Sequence, residues 1–208
     1  MYDFKACLAA RYLQTEDVKL RAAPENCKDG CCFGLTTLWA GRHHAQKNEG
    51  PEARIKAITT DAQKIFRAQQ AYETAGGAAG REKESGPWQA AGFTVGDYKG
   101  KNVATGDDYA KTAGETLVDM LITAGRKHHY TAVAFRNAKG WHQMVCYHSG
   151  GKIFGIASHL YFFDPNGGEF KVPDGDMREF FMGYWFEARR AAKLFDINYI
   201  SWAPLTPA

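Results

Sequence analysis

The sequence predicts an α+β protein in which a helical layer packs on an antiparallel β-sheet along one seam. Up to Gly125 the apolar residues recur at helical spacing, whereas from Tyr130 onward they fall in short β-branched or aromatic runs divided by turn residues. With 208 residues, 45% of them hydrophobic, the chain fits a single domain over residues 1–208 that buries about 70% of its unfolded surface. Such a core needs neither disulfide nor metal to fold.

The first 25 residues mix apolar and charged positions without a firm period and read as a short helix plus an irregular lead. From Cys32 the spacing Leu35, Leu38, Trp39 predicts a short helix stopped at Gly41. Pro51 opens a longer one, because Ile55, Ile58, Ala62, Ile65, Gln69 and Tyr72 share one side as far as Ala75. The glycine-rich stretch Gly76 to Gly86 reads as a loop inside the domain. Asp107 or Asp108 can cap a third helix carrying Leu117, Met120 and Leu121, with Gly125 as its end. Three strands follow, Tyr130 to Phe135, Trp141 to His148 and Leu160 to Asp164, and their turn-rich separators predict antiparallel pairing. A last helix begins near Asp176 with Met177, Phe180, Phe181, Tyr184 and Trp185 on one face, and Asn198 to Trp202 can close the sheet.

Composition excludes several classes of function. A net charge of +3 from 26 basic and 23 acidic residues, without the run of about five or six like charges that makes a binding tail, argues against nucleic acid as a partner. The most apolar stretch, Phe180 to Phe186, is far below the roughly 20 residues that span a bilayer, so no integral membrane association is expected, and no signal peptide is visible. The five cysteines cannot all pair, which favours a reducing compartment and free thiols.

The chemistry-bearing segment is Asn26 to Trp39. It sets Cys32 at the first turn of a helix, where unpaired amides and aligned peptide dipoles stabilise a thiolate. Gly30, two residues earlier, permits a tight turn, and Asn26, six residues earlier, can aim an amide at an oxyanion together with the backbone N–H of Cys32. Choosing Cys32 over Cys31 keeps Leu35 and Trp39 three and seven residues on, along the face that packs the helix inward. A thiolate needs an acid for the leaving group, and His142 starts a strand where the sheet can meet the helical layer. Asp164, where the next strand gives way to Pro165-Asn166-Gly167-Gly168, can fix the ring's tautomer.

Those residues resemble the YopT-type papain-like cysteine peptidases, bacterial effectors delivered into host cells. The matching pieces are Gly30-Cys31-Cys32 with Leu35 and Trp39, the strand histidine His142, and Phe162 to Phe170 with the aromatic helix behind it. The resemblance implies a papain-like fold, Cys32 as nucleophile, His142 as general base and acid, Asp164 as orienting carboxylate, and Asn26 as the oxyanion-assisting amide. It further implies no cofactor, a host protein as substrate, with small GTPases and host kinases as known classes, and translocation by a specialised secretion system.

Other readings attach to the same residues. The triad could serve a glutamine deamidase or a cell-wall amidase, since papain-like sites differ more in pocket shape than in catalytic groups, or the fold could be a binding module without turnover. A zinc site from Cys27, Cys31 or Cys32 with His43 lacks the paired Cys-x2-Cys spacing, and no second pair follows downstream. His148, His159 and the pairs His43-His44 and His128-His129 read as strand or surface residues.

Overall fold

A computed structural model of the chain describes residues 4–21, 23–27, 30–75, 84–103, 109–127, 129–137, 140–150, 158–183 and 197–208. Eight antiparallel strands form one sheet: β1 (Leu8–Arg11), β2 (Phe93–Val95), β3 (Lys99–Asn102), β4 (Tyr130–Asn137), β5 (Gly140–His148), β6 (His159–Asp164), β7 (Gly168–Pro173) and β8 (Tyr199–Pro207). Their spatial order is β1-β7-β6-β5-β4-β8-β2, and β3 also pairs with β8. The helices are α1 (Cys32–Ala45), α2 (Pro51–Thr59), α3 (Ala62–Thr74), α4 (Ser85–Ala90) and α5 (Tyr109–Lys127), and residues 177–183 are also helical.

The expected α+β class holds, but helices cover both faces of the sheet rather than meeting it along one seam. Along β4, Tyr130 and Ala132 join the core beneath α1 to α3, while Val133 and Phe135 join a second core with Leu117, Val118 and Leu121 of α5 and Phe180 and Phe181. Near-continuous apolar runs such as Ala132 to Phe135 are what a strand buried on both faces requires.

Several boundaries differ from expectation for local reasons. Helix α1 runs through Gly41, where a Cβ would sit 3.3 Å from the Ala91 carbonyl, so this glycine serves close packing and not termination. The stripe from Pro51 to Ala75 is two helices, because Asp61 adopts an extended conformation and caps α3 by accepting from the Gln63 N–H at 3.0 Å. The apolar faces of α2 and α3 meet the same core, which is why their stripes run on in phase. The lead contains β1, which pairs with β7, and Gly168 to Pro173 adds β7 itself, a strand the sequence reading leaves out. The loop expected from Gly76 to Gly86 gives way to α4 at Ser85, while its residues 76–83, the caps Asp107 and Asp108, and the helix positions Tyr184 and Trp185 lie outside the described residues.

Two contacts fix α1 against the sheet. Trp39, fully buried, stacks on Phe163 of β6 at 5.6 Å between ring centroids and donates from Nε1 to Glu169 Oε2 of β7 at 2.7 Å. The other carboxylate oxygen of Glu169 pairs with Arg54 of α2, and both charged side chains are buried. A buried charge is tolerated only when paired and hydrogen-bonded, so Glu169 joins α1, α2 and β7 in one arrangement. Glu169→Ala, which strands the Arg54 guanidinium and the Trp39 N–H, should lower unfolding free energy by about 3–5 kcal/mol in denaturant titrations. The Arg54→Met/Glu169→Leu double variant should lose less than the two single losses combined.

Candidate active site

Cys32 opens α1, and Cys31 occupies the N-cap position with no side-chain cap of its own. The preceding turn needs Gly30, whose φ of +126° is rarely accessible to residues with a Cβ. The two cysteines differ sharply. Cys31 is 2% exposed and burial, helped by the neighbouring Cys27 and Cys32, pushes its thiol up to about 12, whereas Cys32 is half-buried with its Sγ 3.9 Å from the Trp141 carbonyl. Only Cys32 therefore combines access with the head of the helix.

The first turn of α1 is tied to β5 by Thr36. Its hydroxyl reaches the Cys32 carbonyl at 2.5 Å and the Gln143 carbonyl at 3.2 Å, so the nucleophile candidate and the residue after His142 share one anchor. Gly34 lets the helix approach α3, where its N–H donates to Gln69 Oε1 at 3.1 Å. These contacts place Cys32 beside the start of β5.

His142 is three residues beyond the last β5–β6 pair, Val145 with Phe163. Phe163 stands opposite Val145, so Asp164, Met144 and His142 share one face and the carboxylate reaches the ring diagonally. His142 Nε2 lies 2.7 Å from Asp164 Oδ1, and Asp164 is 1% exposed. The same Oδ1 accepts from the Asn166 backbone N–H at 2.8 Å. Burial pulls the pKa of His142 down most strongly among the individual influences, but the charge and hydrogen bond of Asp164, together with a hydrogen bond and charge from Cys32, overcome it and bring the ring up to about 9. The structure thus brings Cys32, His142 and Asp164 together.

Of the other expected residues, Asn26 lies in a short 3-10 turn, Glu25–Cys27, and its side chain is outside the described residues. His43 is a core residue: Nδ1 meets the Tyr130 hydroxyl at 2.8 Å, and burial followed by the charge of Arg54 pulls its pKa down to about 3. His148 is buried in β5 and pairs with Asp174 at 2.8 Å. This second His–Asp pair is six residues, about 20 Å of extended strand, from His142. Among the described residues no group of three or more His, Cys, Asp or Glu is arranged to hold a metal. No described helix is long and apolar enough to cross a membrane.

The sequence reading misses Gln14 and Asn166. Gln14 Oε1 accepts from the Cys31 N–H at 3.0 Å, its Nε2 donates to Asn166 Oδ1 at 2.9 Å, and Asn166 Nδ2 lies 3.5 Å from His142 Nδ1. Nothing periodic marks Gln14, and Asn166 has a sufficient local reason to occupy a turn. The signal available was the Asp-x-Asn spacing, which puts a second polar side chain two residues beyond the carboxylate.

A cysteine heading the helix that lies on a β-sheet, with a strand histidine and a hairpin carboxylate beside it, belongs to the papain-like class of α+β folds. The chain is a member of the Peptidase_C58 family, described as Yersinia/Haemophilus virulence surface antigen, whose profile matches residues 3–194. Among solved structures it is similar to the Pseudomonas avirulence protein AvrPphB, with 18% identity and a TM-score of 0.67 over 98% of this chain and 100% of that one. It also aligns with PatoxP, a cysteine protease-like domain of the Photorhabdus asymbiotica toxin PaTox, at 14% identity and a TM-score of 0.47, covering 97% of this chain and 55% of that one. A comparison with curated proteins finds no match.

Because the folded ring titrates near 9 instead of at its ordinary 6.5, the His142–Asp164 pair contributes its full stabilisation below the ordinary value and loses it as pH rises through about 9. NMR titration of the His142 ring should give a midpoint near 9. In Asp164→Asn, where burial is no longer opposed by the carboxylate, the midpoint should fall by roughly 1–3 pH units.

Proposed function

We propose that the chain is an effector cysteine peptidase that hydrolyses a peptide bond in a host protein, with Cys32 as nucleophile, His142 as general acid and base, and Asp164 as the carboxylate that orients the ring. The observation that carries this reading is the 2.7 Å contact between His142 Nε2 and Asp164, which leaves Nδ1 for a half-buried thiol at the head of α1. Membership in a virulence-antigen peptidase family supports a host target and delivery by a specialised secretion system.

In this reading the reaction runs in two halves, acylation and deacylation of the thiol. The Cys32 proton passes to His142 Nδ1, and the sulfur attacks the carbonyl carbon to form a tetrahedral adduct. The backbone N–H of Cys32 and the amide of Asn26 are assigned to the resulting oxyanion. As the adduct collapses the C–N bond breaks, and the departing amine takes the proton from Nδ1, leaving a thioester. Water then gives a proton to Nδ1 and its oxygen to the acyl carbon, the C–S bond breaks, the acid product leaves, and the proton on Nδ1 returns to the sulfur. Asp164 holds the Nε2 proton throughout and stabilises the imidazolium without accepting that proton.

Cys32→Ser and His142→Ala should abolish cleavage of a target protein, whereas Cys31→Ser and His148→Ala should retain most of it. Intact-mass analysis of the target reads the result, because cleavage yields two fragments whereas deamidation adds about one dalton. Activity of Cys32→Ser, or a one-dalton product, would reject the assignment. Asn26→Ala should lower kcat by about a hundredfold with little change in KM. A loss confined to KM would move Asn26 to substrate binding.

A further inference from the structure

The amide side chains of Gln14 and Asn166 form a chain whose orientation can be read from both ends. Carboxamide oxygen and nitrogen are hard to tell apart on their own, but a backbone N–H can only donate. The Cys31 N–H therefore fixes Gln14 Oε1 as its acceptor and turns Gln14 Nε2 toward Asn166. Asn166 must meet it with Oδ1, which turns Nδ2 toward His142 Nδ1. At the other end the Asp164 carboxylate can only accept, so His142 Nε2 carries a hydrogen there. Both ends select the same tautomer of the neutral ring, with hydrogen on Nε2 and a lone pair on Nδ1. The backbone adds a second tie, since the Gln14 N–H donates to the Pro165 carbonyl at 2.9 Å, within the turn that carries Asn166.

We propose that Gln14 is a positioning residue for His142: through Asn166 it presents an amide N–H, and not a carbonyl oxygen, to Nδ1, which holds the hydrogen of the neutral ring on Nε2 and keeps Nδ1 the acceptor that faces Cys32. This rests on the reading of His142 as the base. The titratable groups facing the ring are Asp164 from β6 and Cys32 from α1, with the Phe135 ring of β4 at 5.0 Å between centroids. Asp164 and Cys32 both favour a protonated ring, and the Asn166 N–H is the contact that opposes it. A hydrogen on Nδ1 is then acceptable only when it points at the sulfur, so protonation of His142 is coupled to ionisation of Cys32. The chain of amides enforces that coupling from a strand-to-turn segment far away in sequence.

The test reads the ring directly and needs no substrate. In the Cys32→Ala background, which removes the thiol, 15N NMR of the His142 ring reports tautomer and titration midpoint. The expected neutral form carries hydrogen on Nε2. Gln14→Glu keeps the acceptor for the Cys31 N–H but removes the donor, so Asn166 should turn over, face Nδ1 with its oxygen and raise the midpoint by about one pH unit, the equivalent of one modest hydrogen bond. Asn166→Ala, at an exposed position that leaves the Cys31 turn intact, should raise it in the same direction. Adding Gln14→Glu to Asn166→Ala should then produce less than half the shift it causes alone, which separates the relay from the bare charge of the new carboxylate. An unchanged midpoint in both single variants, or an undiminished effect of Gln14→Glu without Asn166, overturns the proposal. An inactive wild-type protein that shows the expected tautomer and shifts would instead count against the peptidase reading and leave the relay standing.

Discussion

The carboxylate of Glu169 is the constraint on which the arrangement of the site depends. It is buried, it must be paired, and its two partners come from two different helices, Arg54 from α2 and Trp39 from α1. Since Glu169 stands opposite Phe163 in the β6–β7 hairpin, satisfying it sets α1 at one height above that hairpin. Trp39 is seven residues, about two helical turns, from Cys32, and Phe163 is next to Asp164. The spacing between thiol and carboxylate is thereby fixed by one helix segment and one strand end, both rigid, and not by loops.

Adjacent cysteines at a helix start project about 100° apart, so the fold has to treat them differently. Cys31 turns into the core with Cys27 and Tyr12, where desolvation holds its proton firmly. Cys32 turns toward the β5 carbonyl of Trp141 and the His142 ring. The same division recurs among the histidines. His43 is stripped of charge by burial near Arg54, while His142, also buried, is brought up because the Asp164 carboxylate and Cys32 act on its ring. Burial alone does not make a residue reactive or inert; the partners that accompany burial decide.

Much of the candidate site was legible because each of the three residues proposed at its centre sits at a boundary that sequence can mark. Cys32 precedes an apolar helical stripe, His142 begins an alternating strand, and Asp164 ends a run of aromatics before Pro-Asn-Gly-Gly. The sheet's outer strands were not legible. β1 has only four residues and pairs irregularly with β7, with a register shift between Leu8 and Ala10, so its period never develops. Two helices read as one because both turn their apolar faces to a single core, and Asp61, an ordinary capping residue, was the only break. Glu169 and Arg54 were invisible for a different reason: a buried ion pair looks in sequence like two surface charges.

The turn from Asp164 to Gly168 shows why such a motif is specific even though each residue could occupy any turn. Asp164 gives its carboxylate to His142 and to the Asn166 N–H, while its carbonyl accepts from the Gly167 N–H at 2.9 Å. Gly168 adopts a φ of +117°, and a Cβ there would run into the Ala10 carbonyl and lie 2.8 Å from the Tyr12 nitrogen. The last glycine is therefore required twice over, by its own positive φ and by the close approach of the amino-terminal strand. Bringing that strand close is what delivers Gln14 to the Pro165 carbonyl and the Asn166 amide. A lead that lacks any periodic signal thus becomes part of the candidate site's wall, and glycine at 168 answers both to that contact and to its own positive φ.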